Sequence, residues 1–177
     1  MVKPQFALTA LVLIALPAPA AIVEPSGITG TMRVAADEEP AFMLRGEGVQ
    51  IFECRPLVSD PTRFKWDLAS PDATLYEEGR SVGRLTAANI WEAALDRSTA
   101  IGSPRSRQDG GRNNLPWVLY RADSSGDTGL FAAVTSIQRV NTRGGVAPES
   151  GCDDLHVGDE VRVNFSADYY FYRRRAS

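Results

Sequence analysis

In HVGDEVRVNFSADYYFY, residues 156–172, Val161, Val163, Phe165, Ala167, Tyr169 and Phe171 fall on every second position. A period of two puts all six side chains on one face of a β-strand and would scatter them around a helix. GVQIFECRP repeats the pattern more briefly: Gln50, Phe52 and Cys54 share one face, Val49, Ile51 and Glu53 the other, and Pro56 is expected to end the strand. RFKWDL sets Phe64, Trp66 and Leu68 against Arg63, Lys65 and Asp67, after which SPD is expected to turn the chain into ATLYEEG. LPWVLYRA reads as a strand with Pro116 near its start, where a missing N–H is tolerated. LFAAVTSIQRVNT is expected to be the longest strand, with Gly144 and Gly145 allowing the bend that follows it. Propensity alone permits a helix over residues 87–95, capped by Thr86 or Asn89. Gly83, Ile90, Trp91 and Gly102 suit strands joined by a turn at DRS, and strands are expected there. SPRSRQDGGRNN, polar and glycine-rich, reads as a surface loop, and DSSGDTG as a turn. The expectation is an all-β fold: one antiparallel sandwich or barrel with at most one short helix.

Residues 1–20 read as a label for export. Lys3 supplies the positive charge, residues 6–16 an apolar run, and Ala18-Pro19-Ala20 a small-residue cleavage site before Ala21. The apolar run is too short to anchor the chain across a bilayer, so no membrane span is expected after cleavage. The expected divisions are a signal peptide over 1–20, an irregular arm and first strand over 21–45, an all-β domain over 46–172 and a basic tail over 173–177. Removing Lys3 from the 19 basic residues leaves 18 against 22 acidic ones, a net charge of −4. A mildly acidic chain has no electrostatic reason to seek phosphate backbones, and no nucleic-acid partner is expected. The expected location is secreted or periplasmic.

Export delivers Cys54 and Cys152, the only two cysteines, to an oxidising compartment where they have only each other to pair with. Their bridge would close a loop spanning 98 positions, for which chain entropy gives up to about 4–5 kcal/mol. Metal binding by the pair lacks ligands, because His156 is the sole histidine. No metal or cofactor is expected.

GVQIFECRP, VGRL, PWVLYRA, VTSIQRVNTRGGVAP with the following Cys152, and the terminal ADYYFY together resemble the secreted family catalogued as domain of unknown function 3455. The likeness runs from about Gly46 to Tyr172. It implies a secreted or envelope-associated single domain with one cysteine of a pair in each half, and brings no reaction, ligand or catalytic residue. Where relatives read glycine, a basic residue, histidine and an aromatic, this chain reads Gly83-Arg84-Leu85-Thr86, which removes the imidazole from that place.

Nucleophilic catalysis wants a base beside its nucleophile, and His156 in DDLHVGD reads as a surface-turn residue. DSSGD resembles half a calcium loop but lacks the downstream glutamate, so a β-turn explains it. Asp67, Glu77, Glu78 and Glu92 are the acids from which a metal-independent hydrolase would draw two. The aromatic residues suggest binding instead: indole and phenol faces stack on sugars and other amphipathic molecules. Tyr169 and Tyr170 point to opposite faces of their strand, so one of them is free for such a role, with Tyr172 beside it. Gln138 and Arg139 are polar residues in mid-strand that must find partners or line a pocket. Trp91, Gln138, Arg139, Tyr170 and Tyr172 are the candidate ligand-facing residues, for a small molecule or glycan. A carboxylate hydrolase and a structural or interaction module of the cell envelope are the alternatives, and an enzyme is the less favoured class.

Overall fold

The computed structural model describes residues 22–126 and 128–176; the expected signal peptide lies outside them. Eight antiparallel strands follow one another around a closed barrel: β1 (Glu38–Leu57), β2 (Asp60–Glu77), β3 (Arg80–Thr86), β4 (Ile90–Ala93), β5 (Thr99–Gln108), β6 (Trp117–Ser124), β7 (Val134–Gly144) and β8 (Glu160–Arg174). Each pairs with its sequence neighbour, and β8 closes on β1 from Glu38↔Arg174 to Glu53↔Glu160. Closure pairs every strand on both sides around the ring, so the sheet presents no long edge there. The all-β expectation holds, as a barrel.

Alternation decides what faces inward. Leu44, Leu75, Leu85, Trp91, Val118, Tyr120, Ile137, Phe165, Ala167, Tyr169 and Phe171 fill the interior. The outer face carries ion pairs such as Arg45–Glu47, Arg84–Asp72 and Arg121–Asp123. Such a surface suits water; in a bilayer those charges would face lipid. Trp91, Tyr120 and Tyr169 fit inside because glycines make room. A Cβ on Gly102 would stand 2.6 Å from Trp91 Cζ3, and one on Gly46 would stand 2.5 Å from Tyr169 Cε2.

Several local expectations give way. SPD does not turn the chain: Ser70, Pro71 and Asp72 lie within β2, after a bulge at Ala69. β2 meets β3 only from Ala73 onward, so Pro71 sits where its missing N–H leaves no ladder bond unmade on that side. Pro56 does not end β1, which runs one residue further and starts at Glu38 to become the longest strand at 20 residues. Ser103–Gln108, read as loop, belongs to β5. Its side chains lack an apolar period because Ser106 and Gln108 face hydrogen-bonding groups of the N-terminal segment instead of a hydrophobic layer. Leu130 to Ala133, read as strand, forms a turn. It carries Phe131 into one end of the barrel against Phe42 and Phe171, at ring-centroid distances of 5.9 and 5.2 Å. Asp96 secures this turn: its carboxylate accepts the N–H groups of Leu130 and Ser98, while Ser98 Oγ accepts that of Phe131. These bonds, Ser98 foremost, hold the Asp96 carboxyl below the usual carboxylate range. The TAAN segment forms strands, as expected, around a 3-10 turn at Ala87–Asn89. Arg173 and Arg174 extend β8 and pair with Glu39 and Asp37.

At the far end the β1–β2 hairpin projects past the ring, and the loop after β7 folds back to it. Gly144 and Gly145, with φ of 68° and 81°, begin that loop. A Cβ on Gly145 would stand 2.8 Å from both Leu115 and Phe165. Cys152 then bonds to Cys54, the predicted disulfide, with Cα atoms 5.3 Å apart. Cys54 also exchanges main-chain hydrogen bonds with Gly158 and Asp159, so the returning loop is pinned at Cys152 and again six residues further on.

Candidate functional site

The outer face of β1, between β8 and β2, carries a groove of about 1090 Å³ lined by Met43, Arg45, Tyr76, Glu77, Tyr170 and neighbouring residues. Register explains the set. Tyr170 lies directly across from Met43, while Tyr76 and Asp168 lie across from Arg45 on either side. These residues share the outward face, and alternation leaves Tyr169 and Leu75 to face inward. Met43 is 40% exposed in the floor of the groove. Arg45 forms a fixed polar wall: Nε donates to Glu47 (3.0 Å), one terminal nitrogen to Asp168 (3.1 Å) and the other to Ser166 Oγ (2.9 Å). The Glu47 bond, with Asp168 beside it, raises the Arg45 pKa further above its ordinary value. Burial pushes the Tyr170 hydroxyl up, and Asp168 adds to the shift. Two phenol rings, a thioether and a clamped guanidinium therefore meet on one surface, with Ile22 and Val23 at its rim.

The five candidates go to three different places. Tyr170 lines this groove. Trp91 is wholly inside the barrel, edge-on to Tyr120 and Tyr169 with centroids 5.3 and 5.7 Å away. Arg139, opposite Val118 and Tyr169 in the ladder, also turns inward and donates to the Pro116 carbonyl at 3.0 Å. Burial drives the Tyr169 hydroxyl far above its ordinary value, with the Arg139 charge opposing it. Gln138 and Tyr172 face outward but are covered, at 2% and 1% exposure, by the N-terminal segment. There the Tyr172 hydroxyl donates to Gln138 Oε1 at 2.6 Å, and Gln138 Nε2 donates to the Met32 carbonyl at 2.5 Å.

The acids are distributed too. Glu77 and Glu78 lie at the end of the groove formed by the β2–β3 turn. Asp67 pairs with Lys65, and Glu92 pairs with Arg97 two strands away on β4. His156 sits in the surface turn expected of it, its Nδ1 2.5 Å from Asp153 Oδ1. Sequence reasoning missed Met43, Arg45 and Tyr76. Tyr76 was legible in the alternation of ATLYEEG; Met43 and Arg45 were not, because AFMLRGEG offers no alternation until its partner strands are known.

Fold and site together define a disulfide-bridged, eight-stranded antiparallel barrel with a packed interior and a tyrosine-lined groove on its outer wall. The chain belongs to the family described as protein of unknown function (DUF3455), whose model matches residues 81–173, just over half of it. That match includes β7, β8 as far as Arg173, Cys152 and Tyr170, and stops short of β1 and β2. No curated protein and no solved structure matches the chain.

Proposed function

We propose that this barrel is a binding module for a small amphipathic molecule, such as a glycolipid-like or alkyl-glycoside compound, held in the Tyr76–Tyr170 groove. The observation that carries this reading is the juxtaposition of Tyr170, Met43 and Tyr76 on one open outer surface beside the clamped Arg45. Phenol faces and a flexible thioether accept the apolar part of a ligand, while Arg45, Glu47 and the phenol hydroxyls direct its polar part. The test follows the Met43 methyl signal by NMR while octyl glucoside is added below its micelle concentration. Glucose and hexanol serve as the head-only and tail-only arms. Saturable shifts with octyl glucoside, reduced at least tenfold in Tyr170→Ala and Tyr76→Ala, are expected. Shifts that never saturate, or that survive both substitutions, would sink the reading.

The Cys54–Cys152 disulfide fits an extracellular or periplasmic location. We propose export by a leader removed after Ala20. N-terminal sequencing of exported material should begin at Ala21; an uncut chain retained in the cytosol with free thiols would contradict this.

A further inference from the structure

Residues 22–37 lie as a strap across the outer face of the barrel, on a different surface from most of the groove above. From Gly27 to Met32, the sheet's side chains grip the main chain of the strap. Gln108 accepts the Thr29 N–H at 2.9 Å and donates to the Gly27 carbonyl at 2.8 Å. Ser106 donates to the Thr31 carbonyl at 2.6 Å, and Gln138 to the Met32 carbonyl. The gripped stretch ends in a 3-10 turn over Gly30–Met32, in which the Met32 N–H donates to the Thr29 carbonyl at 3.0 Å. The barrel's contacts are to main-chain groups, so they hold any segment that takes up this turn whatever its sequence.

One side chain is treated differently. Met32 is completely buried, with its sulfur 3.5 Å from Ser106 Oγ, whereas Gly27, Thr29, Gly30, Thr31 and Arg33 are exposed. Beneath it, Tyr172 fixes the Gln138 amide, and both are almost wholly buried. The strap joins the barrel through an exposed turn in which the Glu38 N–H donates to the Ala35 carbonyl at 3.0 Å.

We propose that this face of β5–β8 is a peptide-binding groove which the chain's own residues 27–32 fill in cis. A peptide that takes up the same turn and bears Met, or another unbranched apolar side chain, at the Met32 place can replace them in trans. While tethered, the strap competes at an effective concentration on the order of millimolar, which shields the groove from micromolar partners. Release of the strap opens it. Gln138 and Tyr172 are then ligand-facing residues whose resident ligand is the strap.

The test uses the full chain with a site for a sequence-specific protease inserted between Ala36 and Asp37. After cleavage, a fluorescent peptide reproducing residues 22–35 is added and its uptake followed by anisotropy. Saturable uptake is expected. A Met32→Ser peptide should bind at least tenfold more weakly, and a peptide with Thr29, Thr31 and Arg33 all changed to Ala should bind within about threefold of the parent. In the receptor, Gln138→Ala should weaken uptake by a similar factor to Met32→Ser. Uptake that ignores Met32, or collapse of the barrel's near-UV dichroism on cleavage, overturns the proposal. In the uncut chain, millimolar peptide should shift the Met32 methyl signal toward its free position; an unmoved signal at saturation of the cut form counts equally against it.

Discussion

Tyr169 and Tyr170 are bonded neighbours on β8 that serve opposite sides of the barrel wall. The first is sealed against Trp91 in the interior, and the second lies across from Met43 in the outer groove. One peptide unit separates a residue of the core from a residue of the surface, and substitutions should separate them as sharply.

Trp91→Ala removes the largest fully buried side chain and should cost about 3–5 kcal/mol of unfolding free energy, as large core truncations do. Tyr170→Ala should cost less than about 1 kcal/mol. Urea denaturation of the two variants checks this; equal losses would remove the distinction between core and groove.

Gly102→Ala places a methyl where Trp91 and Tyr120 already stand, at 2.6 and 3.1 Å. Overpacking of this kind costs about 1–3 kcal/mol. Pairing it with Trp91→Phe should recover part of the loss, so a double-mutant cycle measured by thermal unfolding should be non-additive. Strict additivity would mean the glycine is not there to admit the indole.

Replacing Cys54 and Cys152 by Ser together frees a loop spanning 98 positions and should lower stability by about 2–5 kcal/mol. The wild type should lose the same amount in reductant. Identical urea midpoints with and without reductant would show that the clasp contributes nothing.

Just beyond Cys152, Asp153 raises the His156 pKa above its ordinary 6.5 by hydrogen bond and charge, and His156 lowers that of Asp153 below 3.8. The histidine's raised folded value means its contribution to holding the turn is complete below about 6.5 and is lost as pH rises through the raised value. The depressed aspartate contributes above 3.8 and loses its effect as pH falls through its lowered value. The turn is therefore held best in the mildly acidic range between the two. An NMR titration of the imidazole should give a midpoint above 6.5 that drops back toward it in Asp153→Asn; an unchanged midpoint would break the assignment.

Much of the wall was legible in advance. The inward set of β8 from Phe165 to Phe171, the inward Gln50, Phe52 and Cys54, and the disulfide itself follow from alternation and from a count of two cysteines. The exceptions share a cause. SPD resembles a turn because proline, serine and aspartate favour turns, yet Pro71 sits where β2 has only β1 for a neighbour, so nothing there forbids a strand. LFAA resembles a strand, but Phe131 is drawn into the barrel end by Phe42, Phe171 and the Asp96–Ser98 turn.

The chain's own order of residues dictated its all-β class, the shared faces of β1 and β8 and its one covalent cross-link, because a pleat of period two and the pairing of two thiols are local or combinatorial matters. Tertiary structure alone decided that β8 would close on β1, that Tyr170 would find Met43 and Arg45, and that Gln138 and Tyr172 would be covered. The physical reason is reach: the bond from Gln138 to Met32 joins residues 106 positions apart. An outward-facing side chain carries no local sign of which distant segment will lie over it.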